Sequence, residues 1–383
     1  MDWLFWSMAG LCVYAYAGYP LLLWLWTRGR QQPWDDAENG EELPEVAVML
    51  PAHNEEAVLA RRIENLLALN YPAGRLQIVV GLDGCTDGSA ELASGYADRG
   101  VVVVDQRRRG GKTSLLNEMI AASTGSVLVY TDANCIYEPD ALLHLVRPFI
   151  RPGIGCVMGE LKYDNEDNPT VGGGEGLYWR LENAIKSMES RLGATLVANG
   201  SIYAMRRSLF APLPGWISDD SVNPLRVLAA GDQVVFQRRA VAREKAALHL
   251  GEEFHRKSRM VTRQLGSHVH MRGFLWPPRP LLAFRLVSHK LLRWLVPIFI
   301  MVALAANLML LPEPLYVVTL AILLAGAGAG VLGGFWLAAG WRTPRLLRLA
   351  TYFWVVNLAA VKGIIDFILG RQRAVWRISA STR

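Results

Sequence analysis

The stretch VAVMLPAHNEEAVLARRIENLLAL, residues 46–69, sets the pattern for the middle of the chain. A short β-rich run, Val46 to Leu50, precedes a helical pattern from Glu55 to Leu69. Further β-rich runs, separated by segments such as the helical pattern 89–97, lie at 77–82, 101–104 and 127–130. This alternation is typical of an α/β fold, and it predicts a mainly parallel central sheet with helices on both faces.

The N-terminal part of the chain is predicted to be a transmembrane helix. Leu4 to Trp26 is apolar throughout and is long enough to cross a hydrocarbon core of about 30 Å. The flanking residues lack the basic region and the small-residue cleavage site of a signal peptide. Because Arg28 and Arg30 follow the run, the positive-inside rule predicts that the next domain is cytoplasmic.

The C-terminal part contains further apolar runs, at 294–311, 315–341 and 352–369. Three crossings would place the tail outside, whereas its basic residues favour the inside; these are Arg371, Arg373 and Arg377. The last run carries Lys362 and Asp366, so an interfacial or re-entrant arrangement stays open. We therefore expect two or three spanning helices in this region.

The chain is accordingly divided into parts of different character. These are an N-terminal transmembrane helix (1–30), a linker (31–44), a cytoplasmic α/β domain (45–271), an interfacial amphipathic segment (272–293) and a C-terminal membrane region with a basic tail (294–383). The interfacial segment mixes aromatic and basic residues, such as Trp276 and Lys290.

Charge and cysteine content exclude other classes. The net charge of +6 comes largely from basic residues that flank the apolar runs, so membrane orientation explains it and no nucleic-acid partner is expected. The cysteines have no Cys-x-x-Cys spacing, which indicates neither a disulfide framework nor a zinc site.

Polar and acidic residues follow the predicted strands. The stretches are Pro51-Ala52-His53-Asn54-Glu55-Glu56, Asp83-Gly84-Cys85-Thr86-Asp87-Gly88-Ser89 and Thr131-Asp132-Ala133-Asn134. Ligands of open α/β sheets bind beyond the carboxyl ends of the strands, so these residues are candidates for a binding site. A helix N-cap and an ordinary turn explain the first two stretches equally well.

Asp132 is the candidate metal ligand, because a carboxylate at a buried strand end should be paired or should bind a cation. Mg²⁺ or Mn²⁺ prefers oxygen ligands and commonly shares them with substrate phosphates. Asp132 and the amide oxygen of Asn134 could provide such ligands, and a structural Asx-turn is the alternative.

The stretch Arg109-Gly110-Gly111-Lys112-Thr113 invites comparison with a P-loop. The spacing does not fit, because Gln106 stands where the P-loop pattern requires its first glycine. A phosphate contact by Lys112 remains an expectation.

Together these stretches resemble the family-two glycosyltransferases, whose nucleotide-sugar-binding fold is called GT-A. The resemblance covers Val46 to Arg259, with Asp132 to Asn134 at the place of the family's Asp-x-Asp metal motif. It implies that Asp83 holds the nucleobase and that Asp132 contacts ribose, metal or diphosphate. The donor-binding residues implied are Pro51, His53, Asn54, Glu55, Asp83, Gly84, Lys112, Asp132 and Arg259, and the metal ligands are Asp132 and Asn134.

The resemblance extends downstream to the acceptor side and the catalytic base. Segments 174–179 and 199–207 are similar to the family's acceptor-side helix and loop, and the implied acceptor-side residues are Asn199, Gly200, Ser201 and Arg256. A packing helix and a solvated Arg pair are the plain alternative. Ser218-Asp219-Asp220 resembles the motif that supplies the base. Asp220 is the first choice and Asp219 the second, because like charges and burial raise a carboxyl pKa; a helix N-cap is the alternative.

Two departures limit the resemblance. Asn134 replaces the second acid of Asp-x-Asp, and the Gln-x-x-Arg-Trp signature of processive synthases is missing, with Arg256-x-x-Arg259-Met260 near its place. Arg259 is expected to reach the diphosphate, with lipid headgroup contact as the alternative.

The expected protein is a membrane-bound, metal-dependent, inverting glycosyltransferase of the bacterial inner membrane. It would transfer a sugar from a nucleotide-diphosphate donor, expected to be a UDP-sugar, to a lipid-linked or polysaccharide-precursor acceptor. Polysaccharide or glycolipid assembly proteins are expected partners. A processive synthase and a membrane-anchored P-loop nucleotidase are the alternatives.

Overall fold

The structure is a computed structural model that describes residues 1–32, 34, 42–164, 172–245, 249–275 and 279–371. Expectations that concern Trp276, Arg373, Arg377 and most of the linker 31–44 lie outside the described residues.

The described strands form one eight-stranded sheet with the order β3-β2-β1-β4-β7-β6-β8-β5. Their bounds are β1 (Val46–Ala52), β2 (Leu76–Asp83), β3 (Val101–Gln106), β4 (Val127–Thr131), β5 (Ile136–Tyr137), β6 (Ile154–Tyr163), β7 (Ile202–Arg206) and β8 (Gln233–Glu244).

The helices surround the sheet and extend from it at both ends of the chain. They are α1 (Asp2–Thr27), α2 (Glu56–Leu67), α3 (Ser89–Ser94), α4 (Lys112–Ala121), α5 (Ala141–Val146), α6 (Gly172–Arg191), α7 (Asp219–Ala230), α8 (Leu250–His270), α9 (Arg272–Leu275), α10 (Pro280–Met309), α11 (Pro314–Ala338) and α12 (Arg345–Ile368). Single 3₁₀ turns lie at Ala73–Arg75, Ala97–Arg99, Arg147–Ile150 and Arg207–Leu209.

The expected α/β architecture is confirmed, and the sheet is parallel in the half that the sequence indicated. Strands β3, β2, β1 and β4 are all parallel. Beyond β4 the sheet is mixed: β7 is antiparallel to β4 and β6, whereas β8 is parallel to β6 and antiparallel to β5. Two register shifts interrupt the β6–β8 pairing, and bulges of this kind increase the local bend of a sheet.

The core lies on both faces of β1. Every residue of β1 is buried, as expected of a strand that helices cover on both sides. Successive side chains point to opposite faces, so Val48 joins the cluster that contains Ile63 of α2, whereas Met49 joins the cluster that contains Met119 of α4. This packing fixes where the carboxyl end of β1 lies.

The loops after β1 and β2 are joined by side-chain bonds to the backbone. Asn54 has a positive φ of 52°, and its Oδ1 accepts the backbone N–H of Thr86 at 2.8 Å. The backbone N–H of Glu55 donates to Ser89 Oγ at 3.0 Å. The polar residues that follow these two strands therefore act together as a scaffold.

Four helices are long and apolar enough to cross a membrane: α1, α10, α11 and α12. Helix α10 begins at Pro280, so residues 280–293 of the expected interfacial segment belong to this long helix. Helix α12 contains the ion pair between Lys362 and Asp366. The position of each helix relative to a bilayer stays a prediction.

Helix α8, which follows the sheet, is packed directly against the last of these helices. A Cβ added to Gly363 of α12 would lie 2.8 Å from the carbonyl oxygen of Ser258 and 2.7 Å from Cβ of Val261, both in α8. Thr262 Oγ1 donates to the Gly363 carbonyl oxygen at 3.0 Å. Helix α8, which lines the site described below, is therefore held against α12.

Gly84 closes the turn after β2 where no other residue fits. Its φ is +58°, its N–H donates to the Gln106 carbonyl oxygen at 2.7 Å, and an added Cβ would lie 2.8 Å from the backbone nitrogen of Arg109. The neighbouring loop can therefore approach closely only because residue 84 has no side chain.

We predict that Gly84→Ala destabilises the fold by more than Gly100→Ala. Gly100 also has a positive φ, of +81°, but nothing lies within 4 Å of an added Cβ. Gly100→Ala should therefore lose only about 1–2 kcal/mol for the left-handed backbone, and Gly84→Ala should lose this and the cost of moving the Arg109 backbone. Thermal unfolding of the detergent-solubilised variants measures the difference, and equal unfolding midpoints would contradict the close approach.

Candidate active site

The Asp83 carboxylate holds the loop that begins α4. It is fully buried, and its Oδ1 accepts the backbone N–H groups of Gly110 at 2.7 Å and Gly111 at 3.1 Å. His53 Nδ1 lies 2.6 Å from the Asp83 carbonyl oxygen. These bonds join the ends of β1 and β2 to the first turn of α4, where Lys112 is the first residue.

Lys112 and Asp132 form an ion pair between α4 and the end of β4. Lys112 Nζ lies 2.6 Å from Asp132 Oδ1, and both side chains are partly buried. Burial opposes the charge of Lys112, but Asp132 and then Asp219 and Asp220 outweigh it and raise the Lys112 pKa. Lys112 is therefore a permanent positive charge among carboxylates.

A polar cluster extends from Asp132 to the end of β8. Ser201 Oγ lies 2.9 Å from Asp132 Oδ2 and 3.4 Å from Glu244 Oε2. Asn134 Nδ2 donates to Glu244 Oε1 at 2.7 Å. Oxygen-bearing side chains from separate segments of the chain therefore meet beside the Lys112–Asp132 pair.

The two aspartates at the start of α7 have different surroundings. Asp219 is buried, and its Oδ2 accepts the Tyr203 hydroxyl at 2.8 Å. Asp220 is half-buried, and its Oδ1 accepts the Ser218 hydroxyl at 2.5 Å. Burial, followed by the Asp219 charge, raises the pKa of Asp220, although Ser218, Lys112 and Arg263 oppose the rise. Asp220 is therefore less acidic than an ordinary aspartate.

Basic residues of α8 cover the other side of these carboxylates. Arg256 Nη1 donates to the Tyr163 hydroxyl at 2.8 Å, and its Nε donates to Glu253 at 2.7 Å. Arg263 Nη2 donates to the Ile217 carbonyl oxygen at 2.6 Å, next to the start of α7. Arg259 lines the same space.

Buried charges of α6 and α10 form a network below the site. Lys186 Nζ donates to Asn199 Oδ1 at 2.6 Å, and Asn199 Nδ2 donates to the Gly159 carbonyl oxygen at 2.9 Å. Glu182 of α6 is paired with Lys290 at 3.0 Å and also with Arg293. Burial lowers the pKa of Lys186 to about 8.

Most of these charged side chains line one cavity of about 560 Å³. Its lining contains Lys112, Asp132 and Asp220, and it also contains residues of the apolar helices: Tyr16, Trp294, Val356 and Ala360. The same cavity is therefore lined by charged residues and by residues of the apolar helices α1, α10 and α12.

This arrangement agrees with the comparison with known families. Residues 47–213 match the profile described as "Glycosyl transferase family 2". They form a glycosyltransferase family 2 domain. The match includes the ends of β1, β2 and β4 and the loop before α4, where the resemblance in the sequence lies.

The chain is similar over part of its length to curated bacterial proteins. It is 28% identical to the "Probable glycosyltransferase YdaM" of Bacillus subtilis over 225 residues, which are 54% of this chain and 52% of that protein. It is 30% identical to the "Beta-monoglucosyldiacylglycerol synthase" of a Nostoc species over 186 residues, 46% of this chain and 40% of that protein. The chain thus spans about half the length, or less, of these relatives.

A solved structure has the same fold over almost the whole chain. The "Mannosyltransferase PcManGT from Pyrobaculum calidifontis" superposes with a TM-score of 0.74 and 20% sequence identity, covering 96% of this chain and 99% of that one. The expected GT-A fold, with apolar helices at both ends, is therefore confirmed.

The family 2 domain and the helices after it bring most of the predicted site residues together. Those that line the cavity are Pro51, Glu55, Lys112, Asp132, Asn134, Asn199, Gly200, Ser201, Asp219, Asp220, Arg256 and Arg259. Four others lie in the supporting loops, outside the cavity lining: His53, Asn54, Asp83 and Gly84. The nucleobase contact of Asp83 stays a prediction, because its carboxylate is bound to backbone amides.

The sequence interpretation missed Glu244, Lys186 and Glu182, although all three line the cavity. Glu244 ends a strand, which is the same signal that identified Asp132, but β8 itself was not predicted. Lys186 and Glu182 are spaced four residues apart on α6. Opposite charges one helical turn apart would have been the signal, but such pairs are also common on solvated helix faces.

We predict that Lys186 makes the free energy of unfolding increase as the pH rises above about 8. Its pKa is about 8 in the folded protein, below the ordinary lysine value, so the unfolded chain binds more protons between the two values. Lys186→Met should remove this rise between about pH 8 and pH 10. Unfolding midpoints of both proteins against pH measure it, with the exposed Lys245→Met as control. Parallel pH curves for wild type and Lys186→Met would show that burial does not lower the pKa of Lys186.

Proposed function

We propose that the protein is a membrane-bound glycosyltransferase that transfers a sugar from a nucleoside-diphosphate donor to a lipid-linked acceptor. The observation that carries this proposal is the continuous cavity, which extends from Asp132 and Asp220 to Tyr16 and Trp294 in the apolar helices. A charged donor and an acceptor with an apolar tail would both have suitable surroundings in such a cavity.

In the proposed reaction Asp220 is the general base. It accepts the proton of the acceptor hydroxyl, and the acceptor oxygen attacks the anomeric carbon opposite the leaving nucleoside diphosphate, which inverts that carbon. The raised pKa of Asp220 supports this role, since a stronger base accepts the proton more readily. Asp219 is held by Tyr203 and would act on Asp220 through its charge.

The leaving diphosphate requires positive charge. Lys112 is placed beside Asp132, and Arg259 lines the cavity from α8, so both can donate charge-assisted hydrogen bonds to phosphate oxygens. Arg256, which donates to the Tyr163 hydroxyl, would contact the acceptor instead.

The side chains present could hold a divalent cation, Mg²⁺ or Mn²⁺, only if oxygen atoms of the substrate complete its coordination. Among the described residues no group of three or more His, Cys, Asp or Glu side chains could hold a metal ion. Asp132 and Asn134 provide oxygen ligands beside the proposed diphosphate position, and Mg²⁺ is commonly held by one or two carboxylates and phosphates. When bound, such an ion supplies charge that stabilises the diphosphate as leaving group.

The comparisons narrow the substrates to be tested. The relative from Nostoc is named for glucosyl transfer to diacylglycerol, and further relatives are named N-acetylglucosaminyltransferase. The mannosyltransferase with the same fold is described in complex with GDP-Man and Mn²⁺. Both UDP-sugars and GDP-mannose therefore belong in the donor set, and diacylglycerol belongs among the acceptors.

A P-loop nucleotidase has no support in the loop before α4. The backbone N–H groups of Gly110 and Gly111, which a P-loop would present to phosphate, donate to Asp83 instead.

For the location we propose the bacterial cytoplasmic membrane with the family 2 domain in the cytoplasm, because Arg28 and Arg30 follow α1.

The direct test is a screen of nucleotide-sugars with the purified protein, lipid acceptors and Mn²⁺ or Mg²⁺. Release of nucleoside diphosphate and the mass of the glycosylated lipid are measured together. We expect one donor to be consumed only when a lipid acceptor is present. Hydrolysis of ATP without any response to nucleotide-sugars would exclude the proposal.

We predict that Asp220→Asn lowers the rate of transfer by about 10²–10⁴-fold, the usual contribution of a general base. Donor affinity should stay unchanged, because Asp220 is assigned to the acceptor proton. The exposed Asp98→Asn is the matched control. Transfer at the wild-type rate by the Asp220 variant would remove the assignment.

We predict that the rate of transfer falls as the pH is lowered, and that the midpoint of this fall lies above the ordinary aspartate pKa of about 3.9. The base must be ionised, and its pKa is raised by burial and by Asp219. Asp219→Asn removes that negative neighbour, so the acidic limb of the pH–rate profile should move to lower pH. A limb that stays in place, or moves to higher pH, would show that the titrating group is not Asp220.

A further inference from the structure

We propose that Glu244 supplies the second carboxylate of the cation site, in place of the acid that the chain lacks at Asn134. The inference rests on the proposed function, which requires a divalent cation beside the diphosphate. The motif at the end of β4 contains only one acid, Asp132. In this proposal the second acidic ligand comes from a residue more than one hundred positions downstream of Asn134.

The contacts place Glu244 where the missing acid would act. Its two carboxylate oxygens contact the Asn134 amide at 2.7 Å and Ser201 Oγ at 3.4 Å. Ser201 Oγ in turn lies 2.9 Å from Asp132 Oδ2. One hydroxyl group therefore separates the carboxylate of Glu244 from that of Asp132, and all four residues line the cavity.

The sheet fixes this position independently of the side-chain contacts. Strand β5 follows the Asp132–Asn134 turn directly and is antiparallel to β8, with Ile136 opposite Arg243 and Tyr137 opposite Ala242. Continuation of that register brings Glu244 beside the turn. The last residue of β8 thus reaches the same edge of the sheet as the end of β4.

The charges at this edge favour a cation. Asp132 and Glu244 share Ser201 as a hydrogen-bond partner, and Lys112 contacts the other oxygen of Asp132. Two carboxylates so close are mutually unfavourable unless a cation or a proton lies between them. A diphosphate adds further negative charge, and a divalent ion is commonly shared between one or two carboxylates and phosphate oxygens.

The ligand set predicts how the ion binds. Two carboxylates without a third acidic or imidazole ligand form a weak site in the free protein, and diphosphate oxygens would complete the coordination. Mn²⁺ should therefore bind the full-length protein much more tightly when UDP or GDP is present than when it is absent.

The test is Mn²⁺ binding, followed by the electron paramagnetic resonance signal of free Mn²⁺, for the full-length protein in detergent with UDP or GDP. We expect Glu244→Gln to weaken Mn²⁺ binding by at least about tenfold, as even indirect changes around metal ligands do. Asp132→Asn should weaken it as well, and the exposed Glu91→Gln should bind as wild type.

A double variant supplies the decisive comparison. Asn134→Asp restores the second acid of the motif, so Asn134→Asp with Glu244→Gln should recover Mn²⁺ binding that Glu244→Gln loses. This recovery would not occur if Glu244 only supported the fold. If Glu244→Gln fails to fold, Glu244→Asp takes its place; it should fold and retain measurable binding, and Asn134→Asp should then make binding insensitive to the change at 244.

The outcomes separate this inference from the proposed function. Loss of Mn²⁺ binding in Asp132→Asn with wild-type binding in Glu244→Gln would overturn the role of Glu244 and leave the cation site intact. Wild-type binding in both variants would overturn the cation site itself. Sugar transfer that needs no divalent ion would do the same.

Discussion

The site depends on a buried carboxylate that has backbone amides as partners. Asp83 lies at the end of β2 and is fully buried, so its charge must be satisfied within the protein. The N–H groups of Gly110 and Gly111 do this, and they also lie at the start of α4. The position of Lys112, and hence its contact with Asp132, follows from this one interaction. The glycine at 84 is part of the same constraint, since a side chain there would displace the loop.

The contact between the family 2 domain and the apolar helices is equally specific. Glu182 of α6 is buried with Lys290 and Arg293 of α10, and burial opposes its charge while these partners lower its pKa. Breaking such a pair leaves an uncompensated buried charge, which typically costs about 3–5 kcal/mol. Helices α6 and α10 are therefore not free to separate, and the cavity between the charged site and the apolar helices has a defined shape.

Local patterns predicted the first half of the sheet and the membrane helices. The predicted runs 77–82 and 101–104 correspond closely to β2 and β3, and Leu4 to Trp26 lies within α1. Apolar length and strand–helix alternation are properties of short segments, so the sequence contains them directly. The mixed half of the sheet was not predicted. Its strands pair across large distances in the chain, and β6 and β8 are interrupted by register shifts.

The same distinction applies to the site residues. Asp132, Lys112 and Asp220 belong to short motifs, and the structure brings them to one cavity. Glu244 belongs to no motif, because its position depends on the register between β5 and β8. Lys186 likewise depends on the packing of α6 against the loop at Asn199. Residues placed by long-range pairing cannot be identified from spacing alone.

The pair Asp219–Asp220 shows how neighbours with the same chemistry acquire different surroundings. A helix turns by about 100° per residue, so adjacent side chains at the start of α7 point in different directions. Both line the cavity, but Asp219 accepts the hydroxyl of Tyr203 in the core, whereas Asp220 accepts the hydroxyl of Ser218. The buried carboxylate stays close enough to raise the pKa of its neighbour. Burial and the charge of Asp219 together therefore make Asp220, the proposed base, less acidic than an ordinary aspartate.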